Sequence, residues 1–152
     1  MNIRKATIQD VETIHSLITT YAELDKMLFC SISDIYENLQ QFKVAEVDSK
    51  VVGCCALGVI WSDLAEIKSL AVEKGFFGIG IGKALVQSAV DEARKLGLSR
   101  VFTLTLEAGF FEKLGFTKVQ KDILPMKVWS DCARCSKQDH CDEISLIYEL
   151  RG

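Results

Sequence analysis

EIKSLAVEKGFFGIGIGKALVQSAVDEARKL, residues 66–96, decides the fold. Glu66 to Val72 reads as a strand. Gly75-Phe76-Phe77-Gly78-Ile79-Gly80-Ile81-Gly82 then places four glycines in eight residues. A helix follows from Gly82 or Lys83, with Leu85, Val86, Ala89, Val90, Ala93 and Leu96 at helical spacing on one face. Gly97 is a left-handed stop. Glycines allow positive φ and close approach of a ligand, and the free N–H groups of a helix start converge on an anion. The stretch therefore points to a phosphate or pyrophosphate, against the plainer reading of a tight strand-to-helix turn. Two named phosphate motifs do not fit. Gly82-Lys83 is followed by Ala84, not Ser or Thr, and position 83 is lysine where G-x-G-x-x-G needs its third glycine.

Leu70-Ala71-Val72 followed by Gly78-Ile79-Gly80-Ile81-Gly82-Lys83-Ala84-Leu85 resembles the acyl-CoA-binding segment of the GCN5-related N-acetyltransferases. That family's Q/R-x-x-G-x-G/A falls on Phe77 to Gly82, with Phe77 at the first position. Gly109-Phe110-Phe111-Glu112-Lys113-Leu114-Gly115-Phe116 resembles its A-F-Y-E-K-L-G-F. With Ile3-Arg4-Lys5-Ala6-Thr7, the resemblance covers about residues 1–120. It implies an α/β fold in which a mixed, mostly antiparallel sheet of six to seven strands is flanked by about four helices. It also implies acetyl-CoA as donor, held by Leu70, Ala71, Val72, Phe77, Gly78, Ile79, Gly80, Ile81, Gly82, Lys83 and Phe111. The Leu70 amide would face the thioester oxygen, and the Val72 amide would grip the pantetheine arm. Many members carry a tyrosine that protonates the departing thiolate; the matching position here is Phe111.

The 152 residues are expected to form one domain, 1–152, large enough to bury a core. Hydrophobic residues make up 49% and charged residues 26%, a folding composition. A net charge of −3 argues against nucleic acid. No apolar run approaches a membrane span, and Met1-Asn2-Ile3-Arg4 opens no signal peptide. Six cysteines without a signal peptide suggest a reducing cytoplasm. The oligomeric state stays open, a homodimer included.

In chain order, residues 2–5 read as a strand. Thr7 caps a helix over 8–22 whose apolar stripe is Val11, Ile14, Leu17 and Ile18. A second helix spans about 33–41, capped by Ser31 or Ser33. Lys43–Val47 and Val51–Trp61 read as strands around Asp48-Ser49-Lys50. Cys54 and Cys55 point to opposite sheet faces, as small core residues. Strand alternation puts Glu66, Lys68 and Leu70 on one face. A glutamate in a core-like strand needs a purpose or a partner; a surface pair with Lys68 is the plainer alternative. The resemblance assigns Glu66 as general base in the E-I-x-x-x-A-V frame, taking the proton of the acceptor amine directly or through water. Val101–Leu106 reads as a strand, 109–114 as a short helix and 143–150 as a last strand.

The tail carries Cys132-x-x-Cys135-x5-Cys141 beside His140. Zinc, a disulfide and reduced thiols all remain open. Leu124-Pro125-x-Lys127-Val128-Trp129-x-Asp131-Cys132 and Ala65–Val72 narrow the resemblance to short amino-acid N-acetyltransferases of the N-acetylglutamate synthase type. These acetylate the α-amine of L-glutamate, the first step of arginine biosynthesis. A substrate with two carboxylates needs cations, for which Lys68, Lys127 and Lys26 are the candidates. Relatives usually have L-P-R-S where this chain has Leu28-Phe29-Cys30-Ser31. Alternatives are another small amine or a protein N-terminus as acceptor, and a non-catalytic acyl-CoA sensor.

Overall fold

The computed structural model describes residues 1–24, 26–27, 29–120 and 144–150. Its strands are β1 (Asn2–Lys5), β2 (Phe42–Val47), β3 (Lys50–Trp61), β4 (Leu64–Val72), β5 (Arg100–Thr105), β6 (Thr117–Val119) and β7 (Ile144–Glu149). Its α-helices are α1 (Val11–Glu23), α2 (Ile32–Glu37), α3 (Ile81–Lys95) and α4 (Ala108–Lys113). One seven-stranded sheet runs β1-β2-β3-β4-β5-β7-β6. Its pairs are antiparallel except β4–β5. The expected mixed, mostly antiparallel α/β architecture is what forms.

Helical periodicity sorts the core onto the two faces of the sheet. On one face α3 lays Ile81, Leu85, Val86, Ala89, Val90 and Ala93 against Val52, Cys55, Leu57 and Ile67. Leu96, expected on that stripe, is instead exposed at the C-cap, where the helix turns into Gly97 at φ 84°. On the other face Val11, Ile14, Leu17 and Ile18 of α1 meet Val44, Cys54, Ala56 and Ala71. Burying each of the Val, Leu and Ile side chains among them stabilises by roughly 1.5–3 kcal/mol. That packing, rather than length, holds the six-residue α2, which buries only Ile35. Ser31 caps it, accepting from the Asp34 amide at 3.0 Å. Asp48 and Ser49 both take positive φ, 51° and 65°, the two-residue turn whose twist suits a hairpin.

Cys54 and Cys55 fall on opposite faces, as alternation predicts. Burial pushes the Cys55 thiol up to about 12 and raises Cys54 further, so both stay protonated packing residues.

Alternation fails at one decisive place. Ala56 pairs with Lys68 but Cys54 pairs with Ala71, so β4 carries one extra residue there. Ser69 absorbs it at φ 56°, and the Cys54 thiol donates to the Ser69 carbonyl at 3.4 Å. The bulge swaps faces for everything beyond it. Leu70 packs with the α3 face, not beside Glu66 and Lys68, which corrects the expectation that the three share a face.

The chain entry is fixed by Asp10, 5% exposed, whose carboxylate accepts from Arg4 at 2.7 and 3.0 Å and from the Thr7 amide at 2.7 Å. The Arg4 guanidinium first, then the Thr7 donors, hold this carboxyl below the ordinary range. A depressed folded pKa gives stability that is present above the unfolded value of 3.8 and lost as pH falls through the folded one. Asp10→Asn should therefore cost about 1–2 kcal/mol at pH 7. Its Tm deficit against the native chain should shrink as the pH of the melt is lowered below about 4. A deficit that is constant with pH would deny the carboxylate this role.

Candidate active site

The sheet opens where β4 and β5 part. They pair only through Leu64–Glu66 against Arg100–Phe102. Just beyond, the Thr103 hydroxyl donates to the Ile67 carbonyl at 2.9 Å and pins the apex. β5 continues against β7 to Thr105, so among the described residues the β5-facing edge of β4 from Lys68 to Val72 has no strand beside it. Val72 lies opposite Gly53, and the Glu73 amide donates to the Val52 carbonyl at 2.7 Å. In that antiparallel pattern Val72 turns its own N–H and C=O away from β3 and into the opening. The same alternation sends the Leu70 amide into it, while Ala71 is buried against α1.

The glycine-rich loop closes the wide end. Phe76 tucks into the core with Lys50 above its ring at 5.9 Å, and Lys50 also pairs with Glu73 at 2.9 Å. Gly78 at φ 82° and Gly80 at φ 86° make the turn, Gly80 being the N-cap of α3. The first intrahelical bond belongs to Ala84, which donates to the Gly80 carbonyl at 3.0 Å. The Ile81, Gly82 and Lys83 amides precede it and have no intrahelical partner. Phe77 and Ile79 are exposed, at 57% and 60%, whereas Ile81 is a core anchor that offers only its amide. Gly82 is crowded by Phe110, which a Cβ would meet at 3.3 Å. Phe111 is 3% exposed, its ring edge-on to Phe110 and Phe116.

Glu66 is buried, 8% exposed, at the last paired position before the opening. Its neighbour on β3 is Gly58. The missing side chain leaves room that Gln41 Oε1 and the Lys68 Cε share, each under 4 Å from where a Cβ would stand. Lys68 lines a small cleft with Cys30, Asp34, Asn38, Gln41 and Ser69, between α2 and the bulge. Burial raises the Cys30 thiol, against the Ser69 hydroxyl and Lys68. Gln41 Oε1 is buried there without a hydrogen-bond partner among the described residues, an acceptor turned toward the cleft region.

Lys26 is exposed in the link after α1, its amide donating to the Tyr21 carbonyl at 2.9 Å. Lys127, Cys132, Cys135 and Cys141 lie outside the described residues. Among the described residues no group of histidine, cysteine and carboxylate side chains could hold a metal, and no helix is long and apolar enough to cross a membrane. Sequence reasoning passed over Gln41, Thr103 and Tyr21. The Tyr21 hydroxyl donates to the Val72 carbonyl at 2.7 Å, 51 residues away. The i, i+3 step from Ile18 would have placed it on the core side of α1, though not at this carbonyl.

A strand edge open beside a splay, followed by amides without intrahelical partners at a helix start, is an arrangement that can hold an extended arm ending in a diphosphate. The Acetyltransferase (GNAT) family profile matches residues 8–116. An uncharacterised N-acetyltransferase of Chlorobaculum tepidum is 38% identical over 148 residues, 97% of this chain and 96% of its own. An amino-acid acetyltransferase of Mycobacterium tuberculosis is 42% identical over 135 residues, 87% of this chain and 77% of its own. The N-acetylglutamate synthase of Neisseria gonorrhoeae, complexed with coenzyme A and N-acetyl-glutamate, superposes with a TM-score of 0.89 at 29% identity; the match covers 99% of this chain and 35% of that longer one. The chain belongs to the GNAT family and is an acetyl-CoA-dependent acetyltransferase.

Proposed function

We propose that the acceptor is the α-amine of an amino acid, with L-glutamate the first candidate and entry into arginine biosynthesis, in the cytoplasm, the corresponding role. The observation that carries this reading is a buried carboxylate, Glu66, at the apex of the opening, on the same sheet face as Lys68. An α-ammonium must lose a proton before it can attack, and Glu66 is the base for it. The Leu70 amide stabilises the oxyanion. The Val72 amide and carbonyl hold the pantetheine arm in the manner of an added strand, and the amides from Gly78 to Lys83 hold the diphosphate. Lys68 orients an acceptor carboxylate. Lys127 and Lys26 are candidates for the other.

The relatives named above support an amino-acid acceptor. Cys30 supports a second reading. It is a neutral, protonated thiol where such enzymes usually present arginine, and Gln41 Oε1 beside it accepts rather than donates. An amino acid with a neutral polar side chain would suit that cleft better than a second carboxylate. An acceptor panel of amino acids and polyamines, read by release of the free thiol, separates the two. L-glutamate should lead, and Lys68→Ala should raise its KM roughly tenfold for one lost charge-assisted contact. Preference for a neutral amino acid would favour the second reading, and acetylation of polyamines alone would sink both.

A further inference from the structure

The family's usual proton donor position is Phe111, which has no proton to give and is sealed in an aromatic cluster. We propose that Tyr21, from α1, supplies the proton to the departing thiolate instead; this rests on the acetyl-transfer reading above. The chain has three tyrosines. Tyr36 is 49% exposed on α2, and Tyr148 packs on Phe116 and Arg94. Tyr21 alone meets the edge of β4 in the opening, with its hydroxyl 2.7 Å from the Val72 carbonyl. Burial is the main influence on this phenol and raises it, so it keeps its proton at neutral pH.

Position and chemistry agree. With the acyl oxygen on the Leu70 amide and the arm on Val72, two residues on and ~7 Å along a strand, the sulfur lies between the two anchors. Tyr21 stands at the Val72 end. An amide N–H of the arm that pairs with the Val72 carbonyl competes with Tyr21 for the same oxygen and frees the hydroxyl to turn toward sulfur. The step then balances. The amine freed of its proton by Glu66 attacks the thioester carbon, and the C=O electrons move onto oxygen. They return as the C–S bond breaks, leaving its pair on sulfur, which takes the Tyr21 proton. The phenolate recovers a proton from the nitrogen, which still carries one in excess, giving amide, free thiol and neutral phenol.

Tyr21→Phe keeps the ring and removes only the hydroxyl. With the best acceptor of the panel, kcat should fall about 30-fold, within the range of a lost acid catalyst, while the calorimetric Kd for CoA stays within about threefold. The alkaline limb of the kcat profile, where the phenol ionises, should vanish. Independently of turnover, protein labelled at the tyrosine ζ-carbon should show one NMR signal, absent from Tyr21→Phe, that shifts when CoA is added. A loss of CoA affinity with the alkaline limb intact and no NMR shift would make Tyr21 a brace for Val72 and overturn the proposal. Hydroxylamine serves as a second acceptor. If it releases thiol and no amino acid does, the amino-acid reading fails while the Tyr21 comparison still stands. Absence of thiol release with every nucleophile would sink both.

Discussion

Glu66→Gln should lower kcat by about 10²–10³-fold at saturating substrates, the usual weight of a positioned base, and leave CoA affinity within about threefold. The substitution is nearly isosteric. Glu66 is 8% exposed in a strand paired on both sides, Gly58 on β3 and Phe102 on β5, so the sheet fixes its backbone position. Gln retains the amide oxygen as a hydrogen-bond acceptor but cannot carry a proton away. The deficit should narrow as pH rises, because more of the acceptor amine is then free without help from the enzyme. Steady-state turnover between pH 6 and 10, with calorimetry for CoA, would check this. Unchanged turnover at saturation throughout would remove Glu66 from the chemistry. An equal loss of CoA binding would mean the side chain supports the opening instead.

The sequence carried the elements and the loop because both depend on near neighbours. Periodicity placed α1 and α3, the Gly78–Gly82 spacing placed the left-handed turn ahead of α3, and Ser31 or Ser33 bracketed the start of α2, where Ser31 is the cap. It did not carry the Ser69 bulge. No glycine or proline marks the bulge, and the conformation is imposed by the pairing of Ala56 with Lys68 and Cys54 with Ala71. Reading strict alternation through it sent Leu70 to the wrong face. Nor could periodicity show where β4 and β5 separate, since that depends on registers set across three strands. The β6 strand, three residues after the Gly115 turn, was too short to leave a pattern. Tyr21 was hidden for the same reason as the bulge: the carbonyl it meets is distant in sequence, and only the packing of α1 over β4 brings them together.

The second large effect should come from Gly80→Val, with CoA affinity falling about 100-fold and acetyl transfer falling with it. Gly80 is the N-cap of α3 at φ 86°, ψ 12°. A Cβ there meets nothing within 4 Å, so crowding is not the cause. The cause is conformational: a left-handed residue costs about 1–2 kcal/mol, and more when β-branched. The chain relieves that strain by turning the loop, and the Ile81, Gly82 and Lys83 amides then lose their common aim. Loss of even one or two charge-assisted bonds, at roughly 1.5–3 kcal/mol each, accounts for the change in affinity. Fold stability should suffer less, with Tm lower by about 4–8 °C, because the loop is exposed and Ile81 still anchors the helix start. Acetyl-pantetheine separates the two origins of lost activity, since it has the reactive arm and no diphosphate. The variant should use it as well as the native chain does, although both use it poorly. If Gly80→Val bound CoA as tightly as the native chain, the diphosphate would have to be held by side chains such as Lys83 rather than by the amides of the turn.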